Sequence, residues 1–236
     1  MEINEIVEKV IKTNRFFLME HESKDLISKY GIPVGRYGLV NNKEDALNVA
    51  QEIGYPIALK IMSPDIIHKT EAQIVKLDIR TESELLENYE VLIENLRKYN
   101  PNAEIEGVNV QQMAENGLAE VIIGGVRDVN FGAVLMFGLG GIFVEIFKDV
   151  SYRVCPIKES EAKRMIKNIK AFPILNGYRG KPKADIGAIV ECLQNCCTLL
   201  SENPRIEELD LNPIIVFEQG KGIMVVDARI ILKEDL

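Results

Sequence analysis

The chain has 236 residues, of which 47% are hydrophobic and 27% are charged, a composition typical of a folded globular protein. Its formal net charge of -8 at pH 7 disfavours nonspecific binding of nucleic acid, because neutralising phosphates requires a basic surface. The longest apolar run, Gly132 to Val144, is shorter than the roughly 20 residues that span a bilayer. We therefore predict a cytoplasmic protein with neither a nucleic acid nor a membrane as partner.

The first part of the chain predicts alternating helices and strands. Apolar residues from Ile3 to Ile11 have helical spacing and predict an amphipathic helix, which we assign to a helical extension over 1-15. The elements predicted next are a helix at 22–30, an extended segment at 32–40, a helix at 43–53, strands at 55–62 and 74–79, and a helix at 81–99. This alternation is typical of an α/β lobe, which we place at 16-104.

The second part of the chain begins rich in strands. Pro101 and Asn102 interrupt the earlier pattern. The predicted elements are strands at 105–113, 119–126 and 131–137, helices at 159–169 and 184–200, and closing strands at 205–211, 214–217 and 223–226. We place the second lobe at 105-236, which makes the fold class α+β, with two lobes and a cleft between them.

The four cysteines are predicted to be structural. None of them forms a Cys-x-x-Cys pair or lies beside a histidine at metal-ligand spacing, which argues against zinc. Cys192 and Cys196 lie four residues apart in a helical pattern, an arrangement typical of reduced, packed thiols.

Lys60 and His68 form the most informative pair of residues in the sequence. Apolar residues surround Lys60 in its predicted strand, and a buried lysine requires an anionic partner such as phosphate. Ser63-Pro64-Asp65 predicts a turn or a helix start, which places His68 near the phosphate. The alternative interpretation is a lysine at a strand end and a solvated surface histidine.

A second group of polar residues lies near the C-terminus. Asp210 and Asn212 are two residues apart in a predicted strand, so they share one face of it, and the opposite face is apolar. A predicted hairpin brings Asp227 beside Asn212. Oxygen donors of this kind suit Mg²⁺, which completes its octahedron with waters and phosphates. The alternative is a turn-capping asparagine and a surface aspartate.

Two glycine-containing segments have less specific signatures. Phe137 to Phe143, FGLGGIF, lacks the third glycine of GxGxxG and the Gly-Lys-Ser/Thr of a P-loop. Its glycines permit a tight turn near a ligand, and a plain structural turn explains them equally well. Leu175 to Gly180 carries an aromatic residue and an arginine on a glycine-containing loop, which suits either a partner surface or solvent.

These segments occur in a familiar order from about Phe16 to the C-terminus. The order is the Lys60 strand, HKTE at 68–71, IIGGVRD at 122–128, FGLGGI at 137–142, NGYRG at 176–180 and DLNP at 210–213. The chain thereby resembles the β subunits of ADP-forming acetyl-CoA synthetases, ATP-grasp proteins of the NDP-forming acyl-CoA synthetase superfamily. The combination is far more specific than any single segment.

The resemblance implies an ATP-grasp fold whose two lobes hold ATP, with Mg²⁺, in the cleft between them. The implied reaction is acyl-CoA + ADP + phosphate ⇌ carboxylate + CoA + ATP, catalysed by an acid-thiol ligase. Because the chain has no dinucleotide-type lobe for CoA, the resemblance also implies an α subunit that carries the CoA and carboxylate sites, in an α2β2 heterotetramer.

The resemblance also implies roles for individual residues. The implied catalytic residues are His68, which relays phosphate, and Asp210, which stabilises it. The implied magnesium ligands are Asn212 and Asp227. The implied nucleotide-binding residues are Lys60 at the phosphates, Gln112 and Met113 at the adenine hinge, and Glu120 and Arg127 in the same cleft.

One departure from the family pattern leaves two alternatives open. Ala72-Gln73-Ile74 stands where the family usually has a Gly-Gly pair, whose backbone can fold closely over phosphates. The departure motivates the hypothesis of a regulatory subunit that does not turn over. The second alternative is an ATP-grasp ligase that acts through an acyl phosphate without a phosphohistidine.

Overall fold

The computed structural model describes residues 3–66, 72–141, 144 and 146–234. The chain forms two compact units. The smaller unit is Gly35–Met113, and the larger unit combines Met1–Val34 with Ala114–Leu236.

The two units divide the helices and strands into three consecutive segments of the chain. The first segment of the larger unit contains α1 (Ile3–Lys12), β1 (Phe17–Leu18) and α2 (Glu20–Ser28). The smaller unit contains β2 (Tyr37–Val40), α3 (Lys43–Ile53), β3 (Ile57–Met62), β4 (Val75–Ile79), α4 (Glu82–Tyr99) and β5 (Gly107–Gln112). The second segment of the larger unit contains β6 (Ala119–Asp128), β7 (Gly132–Leu139), β8 (Val150–Val154), α5 (Glu159–Lys167), α6 (Phe172–Leu175), a 3-10 turn (Tyr178–Gly180), α7 (Ile186–Glu202), β9 (Ile206–Val216), β10 (Ile223–Val225) and β11 (Ala228–Leu232).

The smaller unit is an antiparallel sheet of four strands, in the order β2-β5-β3-β4, with α3 and α4 packed on one face. Both helices start at a capping side chain. Asn42 accepts a hydrogen bond of 2.8 Å from the N–H of Asp45, and Thr81 accepts one of 3.2 Å from the N–H of Glu84. Caps of this kind satisfy the exposed N–H groups of the first helical turn, so each helix begins at a defined residue.

The larger unit contains a sheet of seven strands in the order β1-β11-β9-β6-β7-β8, with β10 paired to β9. Its core includes buried residues of α5 and α7. Asp185 caps α7 by accepting a hydrogen bond of 3.1 Å from the N–H of Ala188. Its second carboxylate oxygen accepts bonds of 2.9 Å from the N–H groups of Gly220 and Gly222. One side chain therefore joins the start of α7 to the turn between β9 and β10.

The helix α1 belongs to the core of the larger unit and is not the separate extension that the sequence predicted. Its apolar stripe places Ile6 and Val7 at 5% exposure and Val10 at 0%, within the same cluster as the sheet strands. A stripe of this kind stabilises the helix only when it is buried.

The compact units also differ from the predicted boundaries at 15/16 and 104/105. Residues 16–34 join the larger unit because β1 pairs with β11. The strand β5 joins the smaller unit because it pairs with β2 and β3. Both differences arise from strand pairing between distant parts of the chain.

The cysteines follow the prediction in part. Cys192 and Cys196 are buried thiols outside any disulfide, as predicted. Cys155 and Cys197 form a disulfide across 42 residues, with their Cα atoms 5.5 Å apart, which the sequence did not predict.

None of the helices in the described part of the chain combines the length and the apolar character that crossing a membrane requires.

Candidate functional site

Two groups of described side chains are relevant to the predicted site, one in each compact unit. The lysine group consists of Lys60, Asn109 and Gln111, and the acidic group consists of Asp210, Asn212 and Asp227. The predicted relay residue His68 belongs to the segment 67–71, which lies outside the described residues.

The lysine group occupies the face of the smaller sheet opposite α3 and α4. Lys60 in β3 lies directly across from Asn109 in β5, and Ala58 lies across from Gln111. Residues opposite each other in an antiparallel pair share a face of the sheet. The exposed fractions are 5% for Lys60, 0% for Asn109 and 2% for Gln111. The predicted burial of Lys60 is confirmed, and two buried amides lie on its face.

Asn109 was not among the predicted site residues. Its Nδ2 and Oδ1 atoms are buried and have no hydrogen-bond partner among the described residues. The available signal was the alternation Val108-Asn109-Val110-Gln111, in which polar residues recur at the period of a strand. Sequence reasoning interpreted this segment only as a strand that leads to the hinge.

Gln112 and Met113 lie at the end of β5. The side-chain oxygen of Gln112 accepts a hydrogen bond of 3.2 Å from the N–H of Arg36, and the N–H of Met113 donates one of 3.3 Å to the carbonyl of Pro56. These contacts hold the strand end to its neighbours. The role of both residues at an adenine hinge stays a prediction.

Gln73 adopts the backbone conformation that glycine favours. Its φ is +52°, in the left-handed region that non-glycine residues rarely occupy. The following residue, Ile74, is 0% exposed and packs in the core of the smaller unit. Gln73 therefore lies in a turn with a left-handed backbone conformation, and the buried side chain of Ile74 anchors the segment.

The acidic group lies on the face of the larger sheet opposite its buried core. Asp210 in β9 lies across from Gly124 in β6 and from Arg229 in β11. On the other face of β9, Leu209 is 2% exposed and Leu211 is 0% exposed. The predicted alternation of polar and apolar faces in this strand is confirmed.

Asn212 and Asp227 come together through the backbone. The N–H of Asn212 donates a hydrogen bond of 3.1 Å to the carbonyl oxygen of Asp227. The hairpin between β9 and β10, with Val216 across from Ile223, returns the chain to this point. The predicted meeting of these two residues is confirmed.

The electrostatics of the acidic group favour a cation. Burial raises the pKa of Asp210, the negative charges of Asp227 and Glu208 raise it further, and Arg229 opposes this change. Repulsion between neighbouring carboxylates is relieved when a cation binds between them. Two carboxylates and one amide are oxygen donors of the type that Mg²⁺ prefers, so the residues present fit this ion.

Arg127 lies apart from the acidic group, on the helix-covered face of β6. Its guanidinium donates hydrogen bonds to three carbonyl oxygens, at 3.2 Å to Ile206, 2.6 Å to Leu200 and 3.2 Å to Asn203. These bonds join the end of α7 to the start of β9. Arg127 therefore has a structural contact at this junction, and its role in nucleotide binding stays a prediction.

Glu120 is exposed near the start of β6. The N–H of Gly140 donates a hydrogen bond of 2.8 Å to the Glu120 carbonyl, and a Cβ atom at Gly140 would lie 3.2 Å from the Glu120 Cβ. Gly140 therefore serves a close approach of two backbones, which is the structural interpretation of the FGLGGIF segment. The role of Glu120 in nucleotide binding stays a prediction.

The NGYRG loop borders a separate groove of about 370 Å³ in the larger unit. The groove is lined by Phe147, Asp149, Lys170, Ala171, Pro173, Ile174 and Tyr178. Arg179 lies over the Tyr178 ring at 5.3 Å from its centroid, and it has a φ of +55°. Both carboxylate oxygens of Asp149 accept backbone N–H groups, at 2.8 Å from Lys170 and 2.7 Å from Ala171, so this side chain joins the start of β8 to the segment before α6.

The chain matches known proteins over most of its length. The family model described as ATP-grasp domain matches residues 9–232. The beta subunit of acetate–CoA ligase [ADP-forming] II from Pyrococcus furiosus is 49% identical over 229 residues, which cover 97% of each chain. The chain therefore belongs to the ATP-grasp family of beta subunits of ADP-forming acetate–CoA ligases.

Solved structures agree with this placement. The dinucleotide forming acetyl-coenzyme A synthetase 1 of Ca. Korarchaeum cryptofilum, in complex with coenzyme A, Ca-AMPCP and HgCl+, has a TM-score of 0.94 and 47% identity, over 98% of this chain and 100% of that chain. The same protein with coenzyme A and Mg-AMPPCP, its phosphohistidine segment pointing towards the nucleotide binding site, has a TM-score of 0.87 and 44% identity over the same shares. The predicted family, ATP-grasp fold and ligase class are confirmed.

Proposed function

We propose that this chain is the nucleotide-binding subunit of an ADP-forming acyl-CoA synthetase, with acetyl-CoA as the substrate. The overall reaction is acyl-CoA + ADP + phosphate ⇌ carboxylate + CoA + ATP. The observation that supports it most strongly is the meeting of Asp210, Asn212 and Asp227 on one face of the larger sheet, in a chain 49% identical to a beta subunit of this enzyme class.

The chemical step assigned to this subunit is phosphoryl transfer between His68 and the nucleotide. In the direction of ATP synthesis, the bond between phosphorus and the imidazole nitrogen breaks, and a bond forms to a terminal oxygen of ADP. Neutral imidazole is available for the reverse step because its reference pKa is about 6.5. Transfer of this kind depends mainly on alignment and on neutralising charge on the phosphate oxygens.

The described residues take complementary roles in this step. Lys60 binds phosphate oxygens through its ammonium group, and Asp210 accepts the second ring N–H of His68, which fixes the ring and stabilises its positive charge. Asn212 and Asp227 hold Mg²⁺, which when bound neutralises charge on the phosphates.

A partner α subunit supplies the sites for CoA and the carboxylate. The P. furiosus relative is described as a subunit beta, and the present chain covers 97% of it, which supports a division of the enzyme between two chains. We assign the assembly an α2β2 stoichiometry and a cytoplasmic location.

Gln73 favours the catalytic hypothesis over a regulatory one. Its positive φ preserves, at an energetic cost, the backbone shape that glycine would adopt freely. A subunit that only bound its partner would have no need of that shape.

Reconstitution tests the function. The purified chain and its α subunit, supplied with acetyl-CoA, ADP, phosphate and Mg²⁺, are expected to form ATP, and His68→Ala is expected to abolish the reaction. ATP formation that survives His68→Ala would instead support the acyl-phosphate mechanism. Binding of Mg-ADP without any turnover would support the regulatory alternative.

A further inference from the structure

Asn109 is a polar residue at a position where the surroundings favour an apolar one. It lies within β5, an interior strand of the smaller sheet between β2 and β3, and its sequence neighbours are the buried residues Val108 and Val110. The side chain is 0% exposed, and neither of its polar atoms has a hydrogen-bond partner among the described residues. Buried amides are almost always hydrogen-bonded in folded proteins, so an unpaired one calls for an explanation.

The residues on either side of Asn109 in the sheet indicate what its amide could bind. Its cross-strand neighbours are Leu39 in β2 and Lys60 in β3. Leu39 is apolar and packs over Gly107, where an added Cβ atom would lie 2.9 Å from the Cδ1 atom of Leu39. Of the two cross-strand neighbours, Lys60 is thus the charged one, and its side chain is only 5% exposed. Hydrogen bonds to an anion are strong where water is excluded.

We propose that Asn109 is a further nucleotide-binding residue that acts beside Lys60, an inference that rests on the proposed function. Its Nδ2 donates to a phosphate oxygen of the nucleotide, and its Oδ1 accepts from the Lys60 ammonium. A side-chain amide has both a donor and an acceptor, and an ammonium group has three donors, so Lys60 keeps donors for the phosphate and for its other contacts. The amide thereby orients the lysine without neutralising it.

Substitutions of Asn109 separate this role from a structural one. Asn109→Leu has a similar size and no polar atoms, and Asn109→Val matches the flanking residues. Both are expected to keep or raise the melting temperature without nucleotide, because they remove an unpaired buried amide. Both should bind Mg-ADP at least about tenfold more weakly in titration calorimetry of the full chain, since a hydrogen bond to a charged group is lost. Asn109→Asp should weaken binding further, because its carboxylate pairs with Lys60 and repels phosphate.

Two controls locate the contact. Adenosine, which has no phosphate, should bind wild type and Asn109→Leu equally, and an equal loss for adenosine would assign the contact to the base and overturn the proposal. Asn88→Leu, which removes a half-buried amide of α4 whose hydrogen bond goes to the carbonyl of Glu84, should leave Mg-ADP binding unchanged.

The outcomes also separate this inference from the proposed function. If wild type does not bind Mg-ADP, the proposed function fails. If wild type binds and either apolar variant binds equally well, only the role of Asn109 is refuted, and a buried water becomes the explanation for the amide.

Discussion

The backbone N–H of Asn212 donates a hydrogen bond of 3.1 Å to the carbonyl oxygen of Asp227. This bond brings together the two residues proposed as magnesium ligands, although 14 positions lie between them in the sequence. Asp210 lies two residues earlier on the same face of β9, and it is coupled electrostatically to Asp227. The backbone of a hairpin thus assembles a cluster of oxygen donors.

Asp210→Asn is expected to raise stability at neutral pH when Mg²⁺ is absent. Burial, and then the charge of Asp227, raise the pKa of Asp210 above its ordinary value of 3.8. The folded state therefore holds this proton more tightly than the unfolded chain does, and stability falls as pH rises from 3.8 through the raised pKa. The amide removes this penalty, and the melting temperature should rise by a few degrees, at about 2–4 °C per kcal/mol. Thermal unfolding with and without Mg²⁺ measures it, and a lower melting temperature for the variant without Mg²⁺ contradicts the expectation.

Asn212→Ala is expected to weaken the binding of Mg²⁺ with little effect on folding, because Asn212 is exposed. The Mg²⁺ concentration that gives half-maximal ADP binding should rise at least about tenfold, as happens even when residues that support metal ligands are removed. Titration of Mg²⁺ at fixed ADP measures this change. The control is Asn130→Ala, at an exposed asparagine of another turn. Equal Mg²⁺ dependence of the two variants would remove Asn212 from the metal site.

Arg127→Ala is expected to destabilise the protein. The substitution removes three hydrogen bonds to carbonyl oxygens at the junction of α7 and β9, and the expected loss is about 2 to 3 kcal/mol. Urea denaturation measures the loss, and Arg205→Ala, at an exposed arginine, is the control. Unchanged stability would contradict this expectation, and weaker binding of Mg-ADP at unchanged stability would support the predicted nucleotide contact instead.

Asp185→Ala is expected to destabilise the larger unit in a way that depends on pH. Burial alone would raise the pKa of Asp185, but the N–H groups of Gly222, Ala188 and Gly220 outweigh it, and the pKa falls below 3.8. The contribution to stability is then present above 3.8 and is lost as pH falls through the lowered pKa.

Removing this helix cap should cost about 1 to 2 kcal/mol at neutral pH. The difference between wild type and Asp185→Ala should shrink as the solution is acidified below the ordinary carboxyl pKa. Denaturation at a series of pH values measures it, and a difference that stays constant with pH would show that the carboxylate charge is unimportant.

Local signals made much of the fold predictable. The helix Lys43–Ile53 was predicted at these bounds, with Gly54 as the residue that ends it. The strand β9 was predicted as two strands on either side of Asn212-Pro213, whereas the structure continues the strand to Val216. A proline lacks only its own N–H, so a strand can continue past it where that donor is not required.

Long-range pairing was outside the reach of local patterns. The strand β1 has two residues and pairs with β11 near the other end of the chain, and neither strand was predicted. The disulfide between Cys155 and Cys197 likewise joins distant segments. No local spacing rule identifies such partners.

The candidate site was predictable where its polar residues recur at every second position of a strand. Asp210 and Asn212 were assigned to one face of β9, and the structure places them there. Asn109 was missed because its importance lies in its burial and its lack of partners, which only the folded structure reveals. The carbonyl contacts of Arg127 were not predicted, because a sequence does not show which acceptors a guanidinium finds.

The most direct test of the central claim is transfer of label from γ-phosphate-labelled ATP to the chain in the presence of Mg²⁺, with the α subunit absent and present. The account predicts label that is labile in acid and stable in base, retained in His21→Asn and lost in His68→Ala. The chain has two histidines. His21 is the one that is not assigned to the relay, so its variant is the matched control. Absence of label on wild type under both conditions, while nucleotide still binds, would contradict the phosphohistidine mechanism.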